Sequence, residues 1–399
     1  MSERPKAMTE LTNELPKSAK IVIIGGGVMG LFTAWECASR GETDIVILEM
    51  RKFLGAGASQ KAAGGVRAQF TTAANVRLSK YSQNFYVNRF AKEINPDFKY
   101  LQYGYLFVAR SEEKLRALDE SMELQRRAGA DAVRRLSPEQ LLEIHPDFNI
   151  EDVLGCNYSP EDGFVDPGDI VNGLDVSVRR MGVKIFTETE VERFESRGDF
   201  LHTVFTASGT ISCEKILIAT GSWSGEFLSK CGIQVPVQPY RRTLYISTEL
   251  PWFPKKSPFT FDVCTGTHFR PESGGINFLK INPDEPPSHN EEPDWDWLEN
   301  IIPDLIHVMP RFGDMGVKDA WAGPYAMSPD HSAILGPVGG KKGVYVATGF
   351  SGHGLMHSPA VGCAMSEFLM DGKTSTIDVG AFRLERYEEG EEIMERAVF

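Results

Sequence analysis

The chain has 399 residues, of which 42% are hydrophobic and 24% charged, and its formal net charge is −13. These values are typical of a globular protein with room for two domains, and the negative charge argues against a nucleic-acid partner, which needs clusters of Lys and Arg. No apolar run approaches the roughly 20 residues that span a bilayer, and residues 1–19 lack the apolar core of a secretory signal.

The first predicted elements are a strand, a glycine turn and a helix within residues 21–38. The turn carries a G-x-G-x-x-G pattern from Gly25 to Gly30, and a second strand ends at Glu49, 19 residues after Gly30. Gly25 permits the tight turn, Gly27 lets the backbone approach a pyrophosphate, and Gly30 lets helix and strand pack closely. Free N–H groups at the start of the helix hold phosphates, and the carboxylate of Glu49 can accept both ribose hydroxyls. The combination predicts an adenine dinucleotide site.

The remaining elements follow from apolar periodicity and from Pro- and Gly-rich breaks. In chain order the pattern predicts a helix over 69–90, a strand over 103–109, helices over 111–129 and 166–181, hairpin strands within 183–218, strands within 235–282, a surface loop over 283–295, a helix over 295–309, and a strand over 343–347 followed by a helix that ends near 371.

Strands of the nucleotide-binding type therefore occur near both ends and in the middle of the chain. This order predicts an α/β protein with a Rossmann-type domain around a central parallel sheet and an inserted, mainly antiparallel α+β domain. The expected bounds are 20–90, 150–222 and 330–375 for the first domain and 91–149 and 223–329 for the second, with a flexible tail over 1–19 and a C-terminal extension over 376–399.

Four further stretches carry a resemblance to a known family. With the first motif, they resemble the D-amino-acid oxidase-like superfamily of FAD enzymes, which includes glycine oxidase, sarcosine oxidase, dimethylglycine dehydrogenase and the β subunit of proline dehydrogenase; a mitochondrial complex I assembly factor of this fold is also similar. The resemblance covers about residues 20–375 and implies a glutathione-reductase-like FAD domain with an inserted substrate domain. It favours FAD over NAD, which the first motif leaves open. The four stretches are 57–70, 219–223 (A-T-G-S-W), 321–330 (W-A-G-P-Y-A-M-S-P-D) and 349–354 (G-F-S-G-H-G).

The resemblance also implies which residues hold FAD. The start of the last helix would point N–H groups and its positive dipole end at the flavin N1/O2 edge; the alternative is a plain helix-start turn with an exposed histidine. The implied cofactor residues are Gly25, Gly27, Val28, Met29, Gly30, Glu49, Met50, Arg51, Ala58, Ser59, Ala63, Gly64, Val66, Val191, Ala219, Thr220, Gly221, Trp223, Gly349, Ser351, Gly352, His353, Gly354 and Leu355.

Three departures from the family pattern bear on the cofactor and the substrate. Lys61 stands where some family dehydrogenases attach FAD through a histidine, and Gly323 stands where monomeric sarcosine oxidase attaches it through a cysteine. The resemblance therefore implies FAD without a covalent bond. Leu355 and Met356 replace a substrate-binding lysine of the sarcosine enzymes, so we expect a more apolar pocket beside Met356 and a substrate other than sarcosine.

The resemblance implies four candidate catalytic residues. Arg67 aligns with an arginine that pairs with the substrate carboxylate, which suits a guanidinium that stays charged when buried; the alternative is a structural salt bridge. Tyr325 would bond the same carboxylate, or it is an ordinary sheet-edge tyrosine. Lys280 resembles a lysine that promotes reaction with oxygen, or it lies on the solvent face of a strand. His353, between two glycines, would lie at the flavin edge.

The sequence thus predicts FAD-dependent oxidation of a small amino acid or N-substituted amino acid to the imine, by hydride transfer to flavin N5, with oxygen as acceptor. The alternatives are a dehydrogenase of the same fold that passes electrons to a protein or quinone, an assembly factor with little turnover, and an NAD-dependent dehydrogenase. The expected partner is a small amine or amino acid, and a redox partner or subunit is left open. No nucleophile elbow supports a hydrolase.

The spacing of the cysteines and histidines argues against a metal-binding site. His353 and His357 have a spacing that metal ligands can use, but no third ligand is evident. The six cysteines are scattered and include no C-x-x-C pair. Structural disulfides are therefore not expected, and a reducing, cytoplasmic compartment fits the composition.

Overall fold

The computed structural model describes residues 14–397. The predicted flexible tail over 1–19 lies largely outside the described residues. Its last residues are not a tail, because the first strand begins at Ser18. The strands are β1 (Ser18–Ile24), β2 (Ile45–Leu48), β3 (Gly65–Val66), β4 (Tyr105–Ala109), β5 (Arg134–Leu136), β6 (Gly155–Ser159), β7 (Gly163–Phe164), β8 (Lys184–Phe186), β9 (Val191–Ser196), β10 (His202–Thr206), β11 (Gly209–Ile218), β12 (Gln238–Ser247), β13 (Phe259–Asp262), β14 (His268–Glu272), β15 (Gly275–Leu279), β16 (Val317–Met327), β17 (Ile334–Pro337) and β18 (Val344–Thr348).

The helices connect and cover these strands. A π-helical stretch, Tyr86–Phe90, continues the second helix directly. The α-helices are α1 (Val28–Ser39), α2 (Ala73–Phe85), α3 (Ala91–Glu93), α4 (Glu112–Arg127), α5 (Pro138–Ile144), α6 (Pro167–Arg180), α7 (Ser224–Lys230), α8 (Ile302–Val308), α9 (Gly354–Asp371) and α10 (Arg386–Glu389).

The first sheet has the order β17-β18-β11-β1-β2-β8, with the β9–β10 hairpin paired to β11. β1 is parallel to β2 and β11, and β18 is parallel to β11. Successive side chains of a strand point to opposite faces. Accordingly, Ile21 and Ile23 pack with α1 and α9, while Val22 and Ile24 pack with the hairpin and α7. Burial on both faces explains why β1 is a continuous apolar run.

The second sheet has the order β16-β12-β15-β14-β13-β4-β6-β5 and is antiparallel except where β13 pairs with β4. Its largest pair joins β12 to β16 along Gln238 to Ser247. Strand β6 belongs to this sheet, through pairs with β4 and β5. The sequence-based boundary at residue 150 is therefore wrong for β6, since the chain makes one more strand of the second sheet before α6 begins.

Capping residues explain where two predicted helices begin. The hydroxyl of Ser111 accepts a bond from the Lys114 backbone at the start of α4. The carboxylate of Asp166 accepts bonds from the first turn of α6, with Pro167 at its first position. The predicted helix over 295–309 is divided into a 3-10 turn, Asp296–Asn300, and α8. Pro303 explains the break, because proline cannot donate a backbone bond to the preceding turn. Within residues 14–397, no helix combines the length and apolarity needed to cross a membrane.

Candidate functional site

A large cleft lies at the carboxyl ends of β1, β2 and β11, where the first sheet meets β12 and β16 of the second. Ligands of open α/β sheets bind at this edge, outside the carboxyl ends of the strands. Arg67, Tyr325 and Met356, expected near the substrate, line the cleft. So do most residues that the resemblance assigned to FAD: Gly25, Gly27, Val28, Met29, Glu49, Met50, Arg51, Ala58, Ser59, Ala63, Gly64, Val191, Ala219, Thr220, Gly221, Trp223, Ser351, Gly352, His353, Gly354 and Leu355.

The glycine turn after β1 has the shape that a pyrophosphate requires. Gly25 has a φ of +110°, and an added Cβ would lie 2.4 Å from the carbonyl oxygen of Ala219. An added Cβ at Gly30 would lie 2.2 Å from the carbonyl oxygen of Gly25. Gly27 is the N-cap of α1 and faces the cleft, so the first N–H groups of the helix are presented there. This backbone cradle fits the diphosphate of an adenine dinucleotide.

Glu49 follows β2 directly and lines the same part of the cleft. Its carboxylate accepts backbone bonds from Gly26 at 2.8 Å and from Arg51 at 2.9 Å. These two bonds hold the side chain beside the glycine turn. A carboxylate has about four acceptor positions, so further positions stay available for ribose hydroxyls.

The two family positions for covalent attachment lie side by side. A Cβ at Gly323 would be 3.1 Å from the Cβ of Lys61. The Lys61 ammonium pairs with Glu291 at 2.8 Å, and Arg51 binds the same carboxylate, so the predicted surface loop over 283–295 closes on this wall of the cleft. Neither position carries a histidine or cysteine, and non-covalent attachment stays a prediction.

The start of α9 packs against the predicted pocket tyrosine. Gly352 has a φ of +94°, and an added Cβ would lie 2.4 Å from the ring of Tyr325. His353 is 4% exposed, so the exposed histidine of the alternative interpretation is wrong. Burial, helped by the nearby charge of Arg67, holds the pKa of His353 well below its usual range, and the ring is neutral. Its Nδ1 is buried without a hydrogen-bond partner among the described residues, so the site has a polar atom available for a bound group.

Arg67 is fully buried at the end of the cleft nearest α9. Its guanidinium lies 4.1 Å from the centre of the Phe70 ring and donates to the carbonyl oxygens of Gln69 and Ala397. Within residues 14–397 it forms no ion pair, so the structural salt bridge of the alternative interpretation is not found. Burial lowers its pKa, while nearby Tyr105 and the carboxylates of Glu395 and Asp162 act in the opposite direction. Arginine keeps its charge in such surroundings, which leaves a buried cation facing the cleft.

Three of the expected FAD residues lie behind the cleft wall. Gly30 and Val66 are fully or almost fully enclosed: Gly30 packs α1 onto β1, and Val66 lies in the core between the sheet and its helices. Gly349 turns the chain after β18 with a φ of +72°. These three residues support the cleft wall without lining the cleft. In the glycine motif, the third glycine is needed for packing of the helix on the strand.

The structure places Lys280 outside the cleft, contrary to the expected role beside the flavin. Its ammonium donates to a carboxylate oxygen of Asp304 at 2.6 Å and to the carbonyl of Asn300. Leu279 lines the cleft instead. The reason is the alternation of side chains along a strand, which sends neighbours to opposite faces. The alternative interpretation, a lysine on the outer face, is the one that the structure supports.

Several cleft residues come from strands of the second sheet and were not predicted. They include Tyr105, Arg242, Phe259, Phe261 and His268. His268 stacks on Phe261 at 4.4 Å, and burial lowers its pKa to about 4, so the ring is neutral. The available signal was the strand alternation of Phe259 and Phe261, which places both on one face. Nothing local showed that this face meets the cleft.

Comparison with known proteins decides the family. The model of the FAD-dependent oxidoreductase family (DAO) matches residues 20–368. The chain belongs to this family. FAD is its cofactor, and the glycine cradle, Glu49 and the neutral His353 fit this group. The protein is an FAD-dependent oxidoreductase of the type that acts on amino-acid or amine donors.

Relatives of this oxidoreductase are similar over nearly its whole length. FAD-dependent oxidoreductase domain-containing protein 1 from Bos taurus is 30% identical over 430 residues, which are 96% of this chain and 87% of that protein. 4-methylaminobutanoate oxidase (formaldehyde-forming) from Paenarthrobacter nicotinovorans is 26% identical, over 94% of this chain but 46% of that protein. These similarities do not by themselves assign the substrate or role of either relative to this chain.

Solved structures confirm the expected fold class. L-proline dehydrogenase from P. horikoshii has a TM-score of 0.88 and 29% identity, covering 94% of this chain and 99% of that chain. Glycine oxidase from Geobacillus kaustophilus has a TM-score of 0.82 at 24% identity, covering 93% of this chain and 99% of that chain. The α/β architecture with a Rossmann-type FAD domain and a second, substrate domain is therefore confirmed.

Proposed function

We propose that this oxidoreductase oxidises a small amino acid or N-substituted amino acid to the imine. The observation that carries the proposal is Arg67, a fully buried guanidinium that lines the FAD cleft without an ion-pair partner among residues 14–397. A buried cation is unfavourable unless it is paired. The carboxylates of Glu395 and Asp162 act on Arg67 without forming an ion pair with it. A substrate carboxylate would contact the guanidinium directly and could form two parallel hydrogen bonds.

The residues around Arg67 suit an amine carboxylate. Tyr325 lies beside it in the cleft, and its phenol can bond the same carboxylate. Phe259, Phe261 and Leu279 supply an apolar wall that keeps water from the reacting carbon. Bound FAD supplies the two-electron oxidation of the carbon–nitrogen bond. The start of α9 presents N–H groups and a positive dipole end to negative charge that develops there.

The names of relatives support this substrate class. Dimethylglycine dehydrogenase from Homo sapiens is 26% identical over 89% of this chain, and 4-methylaminobutanoate and proline are likewise amines that carry a carboxylate. The shared chemistry of these names is an amine and a carboxylate in one small molecule. That chemistry agrees with the Arg67 end of the cleft.

Oxygen is the proposed electron acceptor, with a protein or quinone carrier as the alternative. A positive charge near the flavin favours electron transfer to oxygen, and the cleft offers Arg67 and Arg242 in place of Lys280.

The acceptor is tested by reducing the bound flavin anaerobically and mixing the protein with air-saturated buffer. We expect rapid reoxidation with formation of hydrogen peroxide. Lys280→Met should match the unmodified protein, because Lys280 pairs with Asp304 outside the cleft. The control is Lys342→Met, which removes an exposed lysine paired with Asp199. Slow reoxidation by air together with rapid reoxidation by a soluble quinone would contradict oxygen as acceptor. If reoxidation by air is slow in Lys280→Met and normal in Lys342→Met, Lys280 does take part in the reaction with oxygen.

A further inference from the structure

A second arginine, Arg242, lines the same cleft, and the proposed function gives it no part in binding the substrate. It lies on β12, opposite Gly323 of β16. The preceding residue, Arg241, binds two acids, Glu285 at 2.9 Å and Asp294 at 3.1 Å. Arg242 forms no ion pair within the described part of the chain, 14–397. Glu285, whose charge also acts on Arg242, is therefore already paired with the neighbouring arginine.

The guanidinium of Arg242 is held in place and only partly bonded. Its Nη1 donates to the carbonyl oxygen of Arg241 at 2.8 Å, while its Nε is buried without a hydrogen-bond partner in residues 14–397. The group lies 5.5 Å from the centre of the Tyr325 ring and 5.7 Å from that of Tyr240. Two aromatic rings thus flank a cation that lines the cleft and has hydrogen-bonding capacity left over.

Tyr325 links the two unpaired arginines. Burial raises the pKa of Tyr325, and the charges of Arg242 and Arg67 both act to lower it. The phenol therefore lies in the field of both guanidinium groups. Arg242 and Arg67 are therefore two cations near the same tyrosine in one region of the cleft.

We propose that the substrate of this cleft carries two carboxylates, one bound by Arg67 and the second by Arg242. This inference rests on the proposed function, and it narrows the substrate class to an amino dicarboxylate or an amino acid with an N-carboxyalkyl group. Arg67 is buried and Arg242 is partly buried, so a substrate with a single carboxylate would leave one of these two cations without a direct carboxylate partner, which is unfavourable away from water. Guanidinium groups at both ends would also fix the orientation of the carbon–nitrogen bond between them.

Binding of inert acids to the FAD-loaded protein tests the proposal without turnover. The probes are glutarate and valerate, which have five carbons each and differ in the second carboxylate. Affinity is measured by titration calorimetry and by the change in flavin absorbance at constant ionic strength. We expect glutarate to bind at least about tenfold more tightly, since a hydrogen bond to a charged group is typically worth about 1.5–3 kcal/mol. Equal affinities would overturn the proposal.

Variants assign the effect to Arg242. Arg242→Gln should remove the preference for glutarate, and Arg242→Lys should keep part of it, because lysine retains charge without the planar fork. The matched control is Arg311→Gln, which removes an exposed arginine of the same domain that pairs with Asp147. An undiminished preference in Arg242→Gln, or an equal loss in Arg311→Gln, would overturn the proposal.

FAD content separates this inference from other roles. If Arg242→Gln and Arg242→Lys both lose FAD, Arg242 holds the cofactor and the inference is wrong. If monocarboxylate amines reduce the flavin while glutarate shows no preference, the inference fails and the proposed function stands. If glutarate binds through Arg242 while no amine reduces the flavin, amine oxidation fails and the site for two carboxylates stands.

Discussion

Arg67 is the residue on which the substrate assignment depends most. Arg67→Lys keeps the charge but cannot form two parallel bonds to a carboxylate. We expect kcat/KM to fall about 10- to 150-fold, the equivalent of roughly 1.5–3 kcal/mol, mainly through a higher KM, with FAD content unchanged. Steady-state kinetics and the flavin-to-protein absorbance ratio measure both.

The control for Arg67→Lys is Arg89→Lys. Arg89 pairs with Glu93 one helical turn away, and its side chain is 38% exposed. Its replacement should leave kinetics and FAD content unchanged. Loss of FAD or of folding in Arg67→Lys, with normal kinetics in the remaining protein, would show that Arg67 supports the structure through Gln69 and Ala397 instead.

At the residue scale, the sequence predicts cofactor contacts better than substrate contacts. Gly25, Gly27 and Glu49 belong to one local motif, whose spacing fixes its geometry. Lys280 and Arg242 lie on strands of the second sheet, where a shift of one residue exchanges the two faces. Only the position of each strand relative to the cleft decides which side chain enters it, and that position depends on distant segments.

The turn that begins α9 is the element whose geometry is most exacting. Gly352→Ala places a methyl group 2.4 Å from the Tyr325 ring at a φ of +94°. We expect kcat/KM to fall on the order of 10- to 100-fold, since small displacements of a positioned site have effects of this size. Gly372→Ala, at the other end of α9, is the matched control: its φ is +75° and no atom lies within 4 Å.

Both variants carry the strain of a left-handed residue, about 1–2 kcal/mol, and both should lower Tm. Only Gly352→Ala should change the kinetics, because only that methyl group displaces a side chain of the cleft. Equal kinetics in the two variants would show that Tyr325 and the turn are not part of the reacting site.

At the element scale, motifs and caps locate elements that contain a local signal. Ser111 and Asp166 are the N-caps of α4 and α6, where the predicted helices begin, and the strand–turn–helix of the dinucleotide site is found as expected. The local sequence of β6 does not indicate which of the two sheets the strand joins. Its membership depends on pairing with β4 and β5, which lie far away in the chain, so the predicted domain boundary failed there.

Buried histidines make the whole molecule sensitive to acid. Burial lowers the pKa of His145 to about 3 and that of His268 to about 4, and it holds the pKa of His353 and of His357 well below 6.5. The unfolded chain binds protons at these groups near pH 6.5 and the folded chain does not, so stability falls as the pH decreases below 6.5. Burial raises the pKa of Glu36 to about 7. The folded chain therefore binds one proton at Glu36 that the unfolded chain does not, and this partly offsets the loss of stability at low pH.

Denaturant unfolding between pH 7.5 and 5 should therefore show decreasing stability, with a net uptake of protons on unfolding near pH 5. His145→Gln, which removes a histidine that is bonded to Thr260 and does not line the cleft, should reduce that uptake by about one proton. Stability that stays constant or rises from pH 7 to pH 5 would contradict the neutral state of these histidines.

The central claim is that the cleft oxidises an amine that carries a carboxylate, and anaerobic reduction of the bound flavin tests it most directly. The purified FAD protein is mixed without oxygen with proline, sarcosine, N-methyl amino acids, amino dicarboxylates and both enantiomers of common amino acids, and the flavin absorbance is followed. We predict that at least one amine carboxylate bleaches the flavin and that the same amine without its carboxylate does so far more slowly. If dithionite reduces the flavin and no member of the panel does, amine oxidation is contradicted.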